Sequence, residues 1–314
     1  MENKNLNINN EIIKNEEFKK KFCVVDLGNY NVKALNNDGR QISFQSNLSR
    51  DYESYPDGFK YVLMDGEYTF FEKGTFNLEY IKTQKNYTAQ LLFAISQLYE
   101  DEDIIEDLNL VLLLPISEMQ QKQKYINDLK GKEFEFTVRT NKKQDKIIKI
   151  NDVFVTPEGY SSYFTLNDGI KDSNLLLVDV GGRSTDVIAL ENGKPQVLKT
   201  YHIGILDLYM KLQNINADKE YRLEEVRGAI NRGDIKVTKK QLASFTQDII
   251  NEIKGDVNLS HFDNVIWTGG ASKVIEEIIN DTLPKQCYLH QNPLYSNILG
   301  AVEVGKIAFN KVGA

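Results

Sequence analysis

Cysteine is nearly missing from this chain: Cys23 and Cys287 are the only two in 314 residues. They form no metal-like pair and no disulfide framework, and such usage fits a reducing compartment. No apolar run approaches the roughly 20 residues needed to span a bilayer, and the Asn-, Lys- and Glu-rich start has no apolar signal core. The expectation is a cytoplasmic protein with no membrane partner. Basic excess is missing too, since 38 Lys+Arg stand against 45 Asp+Glu, giving a net charge of −7 and a pI near 5.2. That balance argues against an extended phosphate-binding surface and so against direct wrapping of DNA. What remains is 41% hydrophobic and 26% charged, the make-up of a globular chain long enough for two lobes with separate cores.

The densest chemistry sits in residues 175–190. Residues 175–178 are a continuous apolar run, as in a strand covered on both faces, and 187–190 are a second. Between them Gly181 and Gly182 lack Cβ atoms, so backbone N–H groups can approach an anion closely, and Arg183, Ser184 and Thr185 complete the turn. Asp179 ends the first run facing that turn. A carboxylate beside phosphate oxygens is repulsive unless a divalent cation lies between them, so phosphate here implies magnesium at Asp179. On this stretch alone, a plain Gly-Gly hairpin with Asp as turn former stays open.

A second copy favours phosphate. Residues 22–35 again run apolar strand, Asp26, a turn of Gly28, Asn29, Tyr30 and Asn31, and a returning strand with Lys33, a point charge able to meet phosphate. Two such hairpins suggest two similar lobes clamping one nucleotide. A third element, residues 264–279, runs strand, Gly269-Gly270, then an amphipathic helix that includes Ala271 and Lys273, with Ser272 as the expected N-cap. Its N–H groups and glycines suit a flat base or an α-phosphate.

These three elements, in this order and spacing, resemble the nucleotide-binding signature of the actin superfamily and, within it, the bacterial plasmid-segregation actins, the ParM family. Residues 110–118, an apolar strand followed by Pro115-Ile-Ser-Glu118, are similar to that family's strand-then-LPLTE segment. Residues 152–158, ending in Pro157 and Glu158, are similar to its DVxVxPE segment. The resemblance covers roughly residues 22–305. It implies an α/β, actin-like fold of two lobes, each a mixed β-sheet flanked by helices, with nucleotide in the cleft between them. On this reading residues 1–20 are a tail, 21–170 lobe I with a small inserted subdomain at about 36–105, 171–295 lobe II, and 296–314 a C-terminal helix returning to lobe I. The implied activity is hydrolysis of ATP, or of GTP, with Mg2+, coupled to self-association into polar filaments. Those filaments would move or segregate plasmid DNA through a basic, ParR-like adaptor at one end, with no direct DNA contact. Asn29 and Tyr30 depart from the small hydroxyl residues usual in relatives, as does Arg183 between the glycines and Ser184; these bear on affinity and base choice. A monomeric nucleotide-switched binding module would share every motif. A small-molecule kinase of the same fold would need a catalytic Asp beside a sugar pocket, and no stretch matches one.

Phosphoryl transfer to water asks for charge neutralisation and in-line placement more than for covalent chemistry. Asp26 and Asp179 are the expected magnesium carboxylates, acting largely through waters. Lys33 is the expected contact to the β- and γ-phosphates, with N–H groups of residues 28–31 and 181–184. Glu158 falls where the resemblance places a residue that positions the attacking water, and Asp186 where actins carry a histidine; with Asp179 they form the expected catalytic set. Plainer readings exist: Lys33 as a solvated strand residue, Glu158 as a helix-start carboxylate favoured by the dipole, Asp186 as a turn residue. Glu224, on a helix expected over 223–231, is a ribose candidate or a surface charge. Elsewhere the pattern predicts a hairpin over 59–71, helices over 85–100, 160–166, 204–212, 242–253 and 296–310, strands over 110–114 and 153–155, and a solvated Lys-rich helix with edge strands over 122–146.

Overall fold

The computed structural model describes residues 20–310, so the tail expected over 1–20 lies, except for Lys20, outside the described residues. The chain divides into two compact units. One holds the residues up to Leu114, Glu118–Pro157 and the helix from Ile298 onward; the other holds Pro115–Ser117 and Glu158–Asn297.

In the first unit nine strands form one mixed sheet: β1 (Phe22–Leu27), β2 (Asn31–Asn36), β3 (Gln41–Gln45), β4 (Leu48–Ser49), β5 (Tyr61–Met64), β6 (Glu67–Phe71), β7 (Ile104–Leu114), β8 (Glu133–Arg139) and β9 (Lys143–Pro157). Their order is β3-β2-β1-β7-β9-β8-β5-β6-β4. β1 is buried along its whole length because both faces are covered. Cys23, Val25 and Leu27 join the core built on helix Thr88–Leu98, whose Leu91, Leu92, Phe93 and Ile95 are fully buried. Phe22 faces the C-terminal helix, Ser296–Asn310, where Gly305 lets the backbone close in: a Cβ there would lie 2.8 Å from Val111 Cγ2.

β7 and β9 run well beyond the strands expected at 110–114 and 153–155. Charged residues interleave their outer halves, and a register irregularity at Leu108, beside Asp107 at φ 53°, breaks the alternation. The Lys-rich stretch is helix Lys122–Leu129 followed by β8 and the start of β9, but these are not the expected edge strands, since β9 lies between β7 and β8 and β8 between β9 and β5, and Lys146 is not solvated. It is 1% exposed, and its ammonium donates to the carbonyls of Tyr99 (2.9 Å), Glu100 (3.2 Å) and Glu102 (2.5 Å), closing the end of helix Thr88–Leu98.

The second unit is a five-stranded sheet of β10 (Leu175–Val180), β11 (Thr185–Glu191), β12 (Lys194–Tyr201), β13 (Asn264–Thr268) and β14 (Cys287–Leu289), in the order β12-β11-β10-β13-β14. The first unit repeats this plan in β3-β2-β1-β7-β9: an antiparallel hairpin with a third antiparallel strand outside it, and two parallel neighbours on the other side. The duplication suggested by two similar hairpins is thus a duplication of sheets.

Two expected helices come out differently. Residues Tyr160–Thr165 form a 3-10 turn, with Ser161 and Ser162 buried and the Ser162 hydroxyl 2.7 Å from Asn297 Oδ1. After Gly269 the chain makes a short helix, Gly270–Val274, breaks at Ile275 and resumes as Glu276–Thr282. Ser272 is no cap, because it lies inside the first turn and donates to Thr268 O at 2.5 Å. No helix among the described residues is long and apolar enough to cross a membrane.

His290 gives the second unit a pH dependence. Its Nδ1 accepts from the Asn292 N–H at 3.0 Å, which leaves Nε2–H to donate to Thr165 Oγ1 at 2.8 Å, so the ring is held neutral. Burial pushes its pKa below the ordinary imidazole value. Between the folded and unfolded pKa values the unfolded chain then binds more protons, so stability falls as pH drops below about 6.5. Urea midpoints measured from pH 7.5 to 5 should therefore fall more steeply for the wild type than for His290→Gln; parallel curves would count against this.

Candidate functional site

The first hairpin, β1–β2, sets Asp26 and Lys33 directly across from each other, their side chains on one face. Lys33 Nζ lies 4.0 Å from Asp26 Oδ2. A second ammonium, which the sequence reading did not single out, lies on the other oxygen: Lys82 Nζ is 3.4 Å from Asp26 Oδ1. At the turn, a Cβ on Gly28 would meet Asn31 O at 2.3 Å, so only glycine leaves the backbone this close. Asn29 is buried; its carbonyl accepts from Ser46 Oγ at 2.6 Å and its side-chain oxygen from the Lys85 ammonium. Tyr30 packs on Phe76 with ring centroids 5.3 Å apart. The two departures in this loop are therefore accounted for by local anchoring.

The second hairpin, β10–β11, pairs Asp179 with Asp186 at the position matching Asp26 and Lys33. Like charges placed opposite each other are destabilising, so both carboxylates need donors or a cation. Asp179 Oδ2 accepts from Asn297 Nδ2 at 2.6 Å. Asp186 Oδ1 accepts from the Thr200 hydroxyl and from the Ile116 N–H at 3.4 Å. Gly269, at φ +86°, abuts the pair, since a Cβ there would lie 2.3 Å from Asp179 Oδ1. Gly159, at φ +65°, lies on its other side, where a Cβ would meet Asp186 Cβ at 3.0 Å and Asp179 Cβ at 3.4 Å. Its N–H donates to Asn297 Oδ1 at 3.0 Å, so one amide ties Gly159 to Asp179. Glu158, largely buried, is the chain neighbour of this Gly159 and belongs to the same unit as Asp179 and Asp186.

Gly181 and Gly182 accept from the N–H groups of Ile205 and Leu206, both at 3.0 Å, which seats the turn on the start of helix Ile205–Ile215. Gly204 makes that approach possible, as a Cβ there would lie 2.5 Å from Gly182 O. Arg183 pairs with Asp207 at 3.5 Å, Ser184 O accepts from Gly181 N–H, and the Thr185 hydroxyl donates to Ile203 O. Gly270 and the buried Ala271 open helix Gly270–Val274, while Lys273 is exposed and pairs with Glu276 at 2.6 Å. Glu224 is half-buried in a 3-10 turn, Leu223–Glu225. Asn297, Gly159, Thr200 and Lys82 were missed because no local pattern marks a residue whose partner is far along the chain.

A magnesium–phosphate group fits these residues. Among the described residues no cluster of three or more His, Cys, Asp or Glu could hold a metal ion. Asp26 in the first unit and Asp179 in the second would each supply a single carboxylate, leaving the other ligands to phosphate oxygens and water, as magnesium prefers. Gly28 and Gly269 let the backbone pack directly on Asn31 O and on Asp179 Oδ1 and Val180 O, where any Cβ would clash.

A duplicated sheet plan with an Asp-bearing hairpin at the heart of each copy is the architecture of an actin-fold protein. Residues 24–160 match the family of actin-like proteins, N-terminal domain. A 15-stranded ParM filament from Clostridium botulinum is 20% identical over 92% of this chain and 100% of its own, with a TM-score of 0.75. An archaeal actin homologue in complex with ADP is 17% identical over 93% and 99%, with a TM-score of 0.69. The Alp12 filament is 20% identical over 93% and 100%, with a TM-score of 0.64. No curated protein sequence matches the chain. In fold, then, this chain is actin-like.

Proposed function

We propose that the chain is a filament-forming ATPase, able in principle to take GTP, that segregates plasmid DNA through a basic adaptor at a filament end. The observation that carries this reading is the matched pair of hairpins, Asp26 opposite Lys33 and Asp179 opposite Asp186, with Gly159, the residue after Glu158, against the second. Bound Mg2+ would neutralise phosphate charge at Asp26 and Asp179. Lys33 would meet phosphate oxygens, and the hairpin N–H groups would orient them. Glu158 and Asp186 would hold the attacking water in line, Asp186 being fixed by Thr200 and Ile116. The ParM and Alp12 filaments and the ADP-bound archaeal homologue support nucleotide binding and assembly as the use of this fold. Hydrolysis by water suits a timer, in which the nucleotide state decides whether a neighbouring subunit fits. The net charge of −7 disfavours unaided DNA binding and favours a basic partner.

Sedimentation tests this. Pelleting should require triphosphate and magnesium, reverse as phosphate is released, and persist longer in Glu158→Ala. A protein that binds nucleotide yet stays monomeric far above cellular concentration is a switch module instead.

A further inference from the structure

We infer that Asn297 is the positioning residue of the second hairpin, its one amide setting both the expected magnesium carboxylate Asp179 and the turn that begins at Glu158. The inference deepens the nucleotide-hydrolysing reading above and rests on it.

That turn is unusual. Glu158 O accepts from the Tyr160 N–H at 2.6 Å around Gly159, whose φ of 65° and ψ of −55° make it a γ-turn of the rare, strained kind. Only a residue without a Cβ fits there, because a Cβ would lie 2.5 Å from Ile188 Cδ1 and 3.0 Å from Asp186 Cβ. Strained turns persist only where their surroundings fix them, and they gather where function needs one backbone placement. Here the fixing group lies 138 residues along the chain: the Gly159 N–H donates to Asn297 Oδ1 at 3.0 Å. The peptide joining Glu158 to Gly159 is thus held at its carbonyl and at its N–H.

The amide of Asn297 has one orientation only. The Gly159 N–H can only donate, and the Ser162 hydroxyl also donates to Oδ1, at 2.7 Å. The oxygen therefore faces the turn, and Nδ2 donates to Asp179 Oδ2 at 2.6 Å. Ser162 Oγ stands 2.9 Å from Ser296 Oγ, which stands 2.5 Å from Thr268 Oγ1, and Thr268 is the strand neighbour of Asp179. Ser162, Ser296 and Thr268 are all fully buried and belong to the second unit, so a string of polar groups leaves Asp179 and returns to it in a dry interior. Hydrogen bonds in such a series reinforce one another. A neutral donor fixes the direction of a carboxylate without cancelling its charge, which is what a metal ligand needs from the group behind it. Asn297 therefore couples two tasks, aiming Asp179 and placing the backbone at Glu158.

The test is titration of the full chain with a non-hydrolysable triphosphate analogue, at graded magnesium and in EDTA, beside single-turnover phosphate release at saturating magnesium. Asn297→Ala should raise the magnesium needed for half-saturation about tenfold, the loss of one hydrogen bond to a charged group, and leave the affinity in EDTA unchanged. It should also slow phosphate release about tenfold or more. Ser162→Ala takes away one of the two donors on the amide oxygen and should move both readouts the same way by less. Melting curves accompany each variant; if Asn297→Ala does not fold, Ser162→Ala decides on the same two readouts. A lowered melting temperature with both readouts at wild-type values makes Asn297 a packing residue and overturns the inference while nucleotide binding stands. So does an equal loss of affinity in EDTA, or a change in only one readout. A wild type that binds no nucleotide overturns the hydrolase reading itself.

Discussion

Asp179→Ala is expected to abolish binding of the magnesium–triphosphate complex, whereas Glu158→Ala should bind it nearly as well as wild type and hydrolyse it about a hundredfold or more slowly. The two carboxylates belong to one unit, and Glu158 is the chain neighbour of Gly159, which abuts Asp179 and Asp186, yet their settings differ. Asp179 is the end of a buried strand, tethered by Asn297 and pressed against Gly269, facing Asp186. A carboxylate held against another acid is useful only if a cation is placed there, so removing it removes a metal anchor. Glu158 is the last residue before Gly159, whose own N–H is tied to Asn297, so its loss leaves the tether and the Asp pair standing. Calorimetric titration separates binding from single-turnover phosphate release. If Glu158→Ala binds as weakly as Asp179→Ala, the roles assigned to them are wrong.

Gly269→Ala should be among the most damaging single-methyl changes in the second unit. Its φ of +86° costs an L-residue about 1–2 kcal/mol, and the new Cβ would sit 2.3 Å from Asp179 Oδ1 and 2.4 Å from Val180 O, adding about 1–3 kcal/mol of overpacking. A total of about 2–5 kcal/mol lowers the melting temperature by several degrees in a chain of this size, and displacing Asp179 should remove nucleotide binding as well. Gly233→Ala is the control: it shares a φ of +83° but has nothing within 4 Å of the added Cβ, so it should cost the backbone penalty alone. Equal losses from the two variants would mean that the close approach to Asp179 carries no weight.

Much of this molecule was legible because its chemistry is local. Both hairpins, with Asp and Gly at fixed offsets, could be read from apolar runs and turn residues, and the actin-like fold was implied by the resemblance of these and the later Gly269-Gly270 element to a known family. Elements that depend on distant partners were not legible. Lys146 sits in a lysine-rich stretch that looks solvated, yet carbonyls of the Tyr99–Glu102 segment bury it. The sequence pattern shows β7 and β9 only as the short strands 110–114 and 153–155, because charged residues alternate in their outer halves and the register shifts at Leu108. Residues 160–166 have helical composition, but the buried Ser162 hydroxyl bonds Ser296 and Asn297 and the segment tightens into a 3-10 turn. Within the candidate site, Glu118 was visible as part of a motif and Lys82 was not, because a lysine's burial is decided by the fold around it.

The place of Gly305 against Val111 and Phe22 bears on how the chain is made. The first unit takes its last helix from Ile298 onward, after every residue of the second has been added. On the ribosome, β1 and β7 must wait with one apolar face uncovered, while the second unit, contiguous apart from Pro115–Ser117, can close first. The earlier-translated unit is thus the later one to mature, and during that interval its sheet face is the surface that chaperones or aggregation would meet.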